Sequence, residues 1–310
     1  MERRKGEQNH PIKTIYFGGG TPSILPIGGL QRIVDGLHRC FDLTALDETT
    51  IEANPEDLTP EYLSTLARLG FNRLSIGVQS LDDGVLRMLN RRHTARQALD
   101  AVENAHRAGF GNISVDFIYG ISEGVGILDD LDVLEKVAHV SAYALTVEPG
   151  TALAVQVEQG RVVLPGDDEV ARQYHALHER LEAEGFRQYE VSNYARPGFE
   201  SRHNSRYWDR TPYLGLGPGA HSFDGKKRTW NNPDGSVGEE ILTAADAYNE
   251  MLMTSLRTVR GLPVDDVRDG QKEKLQPYLD CSWLVVGDGR YHPTTEGLLH
   301  ADGMAAALFV

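Results

Sequence analysis

Three consecutive glycines stand between a short apolar run and a proline, in the order Tyr16-Phe17-Gly18-Gly19-Gly20-Thr21-Pro22-Ser23. Without Cβ atoms, Gly18, Gly19 and Gly20 let the backbone lie directly against a ligand and offer it bare N–H and C=O groups. The stretch has neither the Lys-Ser/Thr of a phosphate loop nor the spacing of a dinucleotide fingerprint, so it does not read as a phosphate cradle. Taken alone it is equally a glycine turn. Further along, polar residues repeatedly close apolar runs: Glu52 with Asn54, Gln79 with Ser80, Asp116, and Thr146 with Glu148. Any one of these is an ordinary turn or cap residue. Polar ends on successive strands instead argue for one site shared along a common rim, as at the carboxyl ends of α/β barrel strands.

The elements that must position these residues alternate. Strands are expected at Thr14–Phe17, Thr50–Glu52, Leu74–Val78, Ile113–Ile118, Val140–Leu145 and Gln188–Ser192. Helical patterns lie between them. One starts at Thr59-Pro60, an N-cap followed by proline at the first helical position, buries Leu63, Leu66 and Leu69, and stops at Gly70. Another runs from Ala95 to Ala108 with Ala98, Val102 and Ala105 on one face, closing at Gly109. A third spans Asp167 to Glu184 and ends at Gly185. Strand–helix alternation of this kind predicts βα units and a parallel sheet.

After Gly225 the character changes. A turn-rich segment (Asn231 to Ser236), a helix pattern from Thr243 to Leu256 and a brief hairpin near Tyr291-His292-Pro293 suggest a small winged-helix-like appendage. The expected division is therefore a barrel-type domain over residues 1–225 and an appendage over residues 226–310.

With 310 residues, 40% of them hydrophobic and 25% charged, the chain is long enough for this arrangement and reads as globular. Acidic residues outnumber basic ones by 45 to 31, a formal charge of −14, which disfavours nucleic acid and anionic membrane surfaces as partners. No segment approaches the ~18 apolar residues of a membrane span. The start, Met-Glu-Arg-Arg-Lys-Gly-Glu, lacks the apolar stretch of a secretion signal, so a cytoplasmic location is expected. The two cysteines, Cys40 and Cys281, are far apart, have no metal-ligand spacing and form no disulfide framework.

In combination the motifs resemble the radical S-adenosylmethionine (SAM) family of coproporphyrinogen dehydrogenases, and within it the HemW-type heme chaperones. The likeness is carried by Tyr16-Phe17-Gly18-Gly19-Gly20-Thr21-Pro22, Glu52-Ala53-Asn54-Pro55, Arg73 to Ser80 and Leu89-Asn90-Arg91. It continues through Asp116-Phe117-Ile118-Tyr119-Gly120, Tyr143-Ala144-Leu145 and Glu148-Pro149-Gly150-Thr151. It implies a partial (β/α)6 barrel with SAM across the strand ends. Gly18 to Gly20, with Thr21, would meet the methionyl amino group, and Glu52 the ribose hydroxyls or that amino group. Gln79 and Asp116 would add polar contacts. Arg91 would clamp the carboxylate in a bidentate way, with Arg92 beside it as the other arginine that could point inward. The backbone around Ile118 and Tyr143 would flank adenine.

The segment His203-Asn204-Ser205-Arg206-Tyr207-Trp208 matches the HNxxYW pattern of the heme-chaperone branch, and Gly215 to Ser222 follows closely. The resemblance makes His203 an axial ligand for heme iron, a metal that neutral imidazole suits. It sets Tyr207 and Trp208 against the porphyrin face. Arg202, Arg206 and Arg210 would then meet heme propionates, and His221 is a second ligand candidate. Read locally, the same segment is a capped turn with two aromatics in a core.

One family feature has no counterpart here. The CxxxCxxC motif that holds a [4Fe–4S] cluster is not in this sequence. The expectation is that the chain begins inside the helix before the glycine motif, with the first βα unit and the cluster loop upstream. As written it would then lack the first βα unit, expose a strand edge and be unable to bind a cluster or cleave SAM. The expected function is heme binding and delivery to client hemoproteins, respiratory enzymes among them. Oxygen-independent oxidation of coproporphyrinogen III is the alternative, and a cluster-free paralogue with a binding role only is the third reading.

Overall fold

The computed structural model describes residues 11–122 and 132–310. The charged stretch from Met1 to Lys5, expected as the end of a helix, lies outside them. The chain divides into two compact units, residues 1–187 with 192–200, and residues 188–191 with 201–310. The boundary expected at residue 225 falls inside the second unit.

In the first unit, β1 (Thr14–Phe17), β2 (Glu48–Ala53), β3 (Arg73–Gln79), β4 (Ile113–Tyr119) and β5 (His139–Ala144) lie side by side in chain order. Each pairs in parallel with the next. Consecutive parallel neighbours require every crossover to pass on the same side, because βαβ connections are right-handed. The sheet is therefore wound one way, with its helices on one face and its other face turned inward, the curled parallel sheet of a half-barrel. Helices α1 (Ile27–Cys40), α2 (Pro60–Arg68), α3 (Asp83–Met88) and α4 (Ala95–Arg107) follow the first strands. After β4 come α5 (Asp132–Glu135), α6 (Ala152–Glu158) and α7 (Asp167–Ala183).

The helix ends form where the sequence predicts. Thr59 caps α2 by accepting from the Tyr62 N–H, and Pro60 occupies its first turn. Thr94 and Gln97 make a reciprocal capping box on α4. Gly70, Gly109 and Gly185 take positive φ just beyond α2, α4 and α7, the left-handed step that ends a helix at least cost in glycine. Leu63 and Leu66 of α2, and Ala98, Val102 and Ala105 of α4, are buried. Helix α4 packs on β3 and β4, and α7 on β4.

One expected strand is corrected. The run at Gln188–Ser192 does not form a single strand. It breaks at a turn into β6 (Arg187–Glu190) and β7 (Asn193–Ala195), and β7 pairs with β5 antiparallel. Most of β6 belongs to the second unit, where Glu190 bridges Thr258.

The second unit continues with α8 (Arg202–Trp208) and an antiparallel sheet of β8 (His221–Phe223), β9 (Lys227–Asn231) and β10 (Val237–Ile241). Then come α9 (Ala244–Leu256), β11 (Leu262–Pro263), α10 (Lys272–Asp280), β12 (Leu284–Gly287) and β13 (Arg290–Pro293). The last helices are α11 (Thr295–Leu299) and α12 (Ala301–Ala307). Leu252, Leu256, Leu275, Leu284 and Met304 form its apolar core.

Because Leu66 is fully buried in the first unit, Leu66→Ala should lower the unfolding free energy by about 3 kcal/mol through lost transfer and a residual cavity. Urea titration should show a lower midpoint with an unchanged slope. A midpoint equal to wild type would mean that α2 does not anchor this core.

Candidate functional site

The register of the parallel strands sorts their side chains. Because side chains alternate and Thr50 aligns with Arg73, Glu52 with Ser75, Ser75 with Ser114, and Ser114 with His139, all of these project from one face of the sheet. Asp116 beside Ser141 and Ile118 beside Tyr143 extend that face toward the carboxyl ends. The opposite face carries Ile51, Leu74, Ile76, Val115 and Phe117, which are buried and apolar. The inner face of the half-barrel is thus polar from base to rim.

At the rim, Glu52 is held from both sides. The Tyr16 hydroxyl donates to Oε1 at 2.8 Å, and the Gly19 N–H donates to Oε2 at 3.1 Å. A Cβ at Gly18 would collide with the Tyr16 ring and the Glu52 carboxylate, so only glycine fits there. Gly19 takes φ of +79°, a second requirement for glycine. Burial first, and then the charge and hydrogen bond of Glu52, push the Tyr16 phenol far above its ordinary range. Thr21 precedes the short 3-10 turn Pro22–Ile24. Ser23 in that turn donates to Asp57 at 2.6 Å, tying the loop after β1 to the loop after β2.

Asp116 accepts from the Ser75 hydroxyl at 3.2 Å and also from Ser141. Burial is the dominant influence and raises its pKa to about 6; the serine bonds and Arg73 oppose that shift, while Glu52 adds to it. Gln79 ends β3 in a left-handed conformation, φ +67°, where the β3–β4 register shifts. A non-glycine residue held there is strained, and such strain concentrates at functional positions. Its side chain folds over Gly77, where a Cβ would come within 2.9 Å of the amide nitrogen.

Arg91 and Arg92 have different surroundings. Arg92 is exposed and pairs with Glu56 at 2.9 Å. Arg91 is half-buried and lies in the field of Asp116; burial lowers its pKa, while Glu56 and Asp116 push it back up. Ile118 and Tyr143 sit side by side on β4 and β5, with Tyr143 44% exposed. The first unit therefore brings Gly18, Gly19, Glu52, Asp116, Ile118 and Tyr143 onto one face and rim.

Sequence reasoning passed over the residues beneath that rim. His139 is buried, 2.8 Å from the Ser114 hydroxyl, and burial together with Arg73 holds its pKa well below the usual imidazole range. Arg73 is buried and hydrogen-bonds Asn112. Tyr16, Ser75 and Ser141, which brace the two carboxylates, were also passed over. The signal was the strict alternation in the strands, as in Arg73-Leu74-Ser75-Ile76 and Ile113-Ser114-Val115-Asp116.

The second candidate site belongs to the second unit. Ser201 caps α8 by accepting from the Asn204 N–H at 3.2 Å. His203 and Tyr207, one turn apart, meet edge-to-face with Nε2 and the phenol oxygen 3.1 Å apart. The ring series continues from Tyr207 to Tyr213 at 4.9 Å and to Phe223 at 6.1 Å. Tyr207 is 40% exposed, and burial with Tyr213 raises its pKa. Trp208 lies on another side of the helix under the Arg257 guanidinium, 5.5 Å away, and its buried Nε1 has no acceptor. His221 is exposed and stacks on Trp230 at 6.0 Å in the β8–β9 sheet. Cys40 ends α1 and Cys281 follows α10; among the described residues no His, Cys, Asp or Glu group is arranged to hold a metal.

Comparison with known proteins gives the class first. A model of the radical SAM superfamily matches residues 2–124. The solved coproporphyrinogen III oxidase HemN of Escherichia coli, a radical SAM enzyme, superposes with a TM-score of 0.80 at 21% identity, covering 96% of this chain and 78% of that one. The fold is that of a radical SAM protein. The heme chaperone HemW of Mycobacterium tuberculosis (strain H37Rv) is 38% identical over 315 residues, covering 96% of this chain and 80% of the relative. HemW of Lactococcus lactis is 36% identical over 309 residues, covering 92% and 82%. The chain belongs to the HemW family of heme chaperones.

The raised pKa of Asp116 sets a pH dependence. The folded chain holds this proton more tightly than the unfolded chain does, so Asp116 reduces stability as pH rises from about 4 to 6, and the loss persists above that. Asp116→Asn does not titrate. The variant should therefore gain stability over wild type across that window and level off at up to about 3 kcal/mol, each pH unit of displacement being worth about 1.4 kcal/mol. Thermal unfolding of both proteins between pH 4 and 8 checks this, and parallel curves would contradict it.

Proposed function

We propose that this chain handles heme on the face of α8 that carries His203, and delivers it to client hemoproteins, respiratory heme enzymes among them. The observation that carries the reading is the His203–Tyr207 pair: an imidazole and an exposed phenol at helical spacing, backed by the rings of Tyr213 and Phe223. An imidazole presented beside aromatic rings suits iron in a flat apolar macrocycle. Tyr207 occupies the His203 Nε2 position in this structure, so coordination through that nitrogen requires the phenol to turn aside.

The rim of the first unit fits SAM by its own chemistry. Gly18 leaves no room for a Cβ, and Glu52 is fixed by Tyr16 and Gly19. Arg91 is a half-buried cation set to receive the methionyl carboxylate. SAM, when bound, supplies a sulfonium and an amino group whose positive charges Glu52 and Asp116 oppose. Ile118 and Tyr143 form the apolar bed beside them. The three thiolates of a [4Fe–4S] cluster are not among the residues of this sequence.

The reading assigns the chain to the cytoplasm; no described helix is long and apolar enough to cross a membrane. Oxidation of coproporphyrinogen III, the alternative, has on its side only a likeness of fold to HemN at 21% identity.

Hemin titration followed by absorbance tests the proposal. Wild type should bind hemin with a shifted Soret band, and His203→Ala should lose that shift and bind about tenfold or more weakly. An unchanged spectrum and affinity in His203→Ala would remove this residue from the site.

A further inference from the structure

The arginines on and beside α8 have different surroundings. Arg210 donates to the Ala247 carbonyl at 2.9 Å and pairs with Glu250 at 3.3 Å; Glu250 also receives Arg228 at 2.7 Å. Arg257 pairs with Asp302, and Arg260 with Asp209. Arg202 is exposed at the first position of the helix and is also engaged. Arg210 Nε is also buried without an acceptor, but its terminal nitrogens are paired; Arg206 differs from all of these in its terminal nitrogens. It is half-buried, its Nε is shut off from water without an acceptor, and among the described residues its guanidinium makes no hydrogen bond or ion pair.

A buried N–H without an acceptor carries a desolvation cost, and at Arg206 that cost falls on Nε, while the outer nitrogens of the guanidinium stay accessible. Carboxylates are not scarce in a chain with 45 acidic residues, and Arg210, Arg228, Arg257 and Arg260 have each found one. Arg206 is three residues after His203 and next to Tyr207, on the helical stripe that presents the imidazole and phenol. An unpaired guanidinium there is a fork for a planar anion brought in by the ligand.

We propose that Arg206 anchors a carboxylate of the ligand bound on α8, making that site selective for a macrocycle with free carboxylates. The inference rests on the heme reading of α8 and assigns the propionate contact to Arg206, not to Arg202 or Arg210.

The test compares hemin with hemin dimethyl ester, whose carboxylates are blocked, on wild type and on Arg206→Gln. Wild type should prefer hemin by about tenfold, the weight of one charge-assisted hydrogen-bonded pair. Arg206→Gln should bind both compounds at the weaker level, with the Soret position of bound hemin unchanged because His203 is intact. Circular dichroism should show the variant folded. Equal affinity of wild type for hemin and its diester overturns the inference without need of any variant, as does a variant that keeps the preference. Failure of wild type to bind either compound is a separate outcome that overturns the heme reading itself.

Discussion

The first unit depends on one constraint: each parallel strand must be apolar toward the helices and polar toward the inside. Parallel strands covered on both faces are ordinarily near-continuous apolar runs. Here β3 and β4 alternate, so the sheet cannot fill its inner side with branched side chains as a closed barrel does. The polar groups inside must satisfy one another. Ser114 meets His139, Arg73 meets Asn112, and Ser75 and Ser141 support Asp116. Each contact lies between adjacent strands or at their ends, so the hydrogen-bond chain also holds the register. A slip of one residue would turn the polar row onto the helices and unpair every member.

That arrangement loads the rim electrostatically. Glu52 and Asp116 share one face, and burial first, with Glu52 adding to it, makes Asp116 favour its proton. A ligand that brings positive charge would relieve both carboxylates and draw the Asp116 pKa back toward its ordinary range. Binding of such a ligand and deprotonation of Asp116 would therefore be coupled. Glu52 is held in place by Tyr16 and Gly19, so its carboxylate keeps one position on the rim.

Most of this architecture could be read in the residues. The strand–helix order, the caps at Thr59 and Thr94, the glycine stops and the polar strand ends all follow from local chemistry acting over a few residues. The sequence reading missed what depends on register. Nothing local pairs Glu52 with Tyr16, or Asp116 with Ser75 and Ser141, since those contacts join residues about 25 to 41 positions apart. The turn that divides Gln188–Ser192 was also hidden, because its residues are strand formers and the break comes from β7 pairing backward onto β5. Which arginine beside Trp208 stays unpaired could not be seen either; that is decided by Glu250, some forty residues farther on.

Helix α8 poses a different problem, since seven residues are too few to hold a helix by backbone bonds alone. Its order comes from its ends and its neighbours. Ser201 caps it, Arg210 locks the chain just after it to α9 through Ala247 and Glu250, and Tyr207 leans on Tyr213 and Phe223. These braces act on the ends of the helix and on the tyrosine, while His203 itself meets Tyr207. The backbone at His203 and Arg206 is thus held by the cap, by α9 and by the aromatic rings. If the ligand proposed above binds on this helix, little backbone order would be lost on binding, which suits a protein that must also release what it carries.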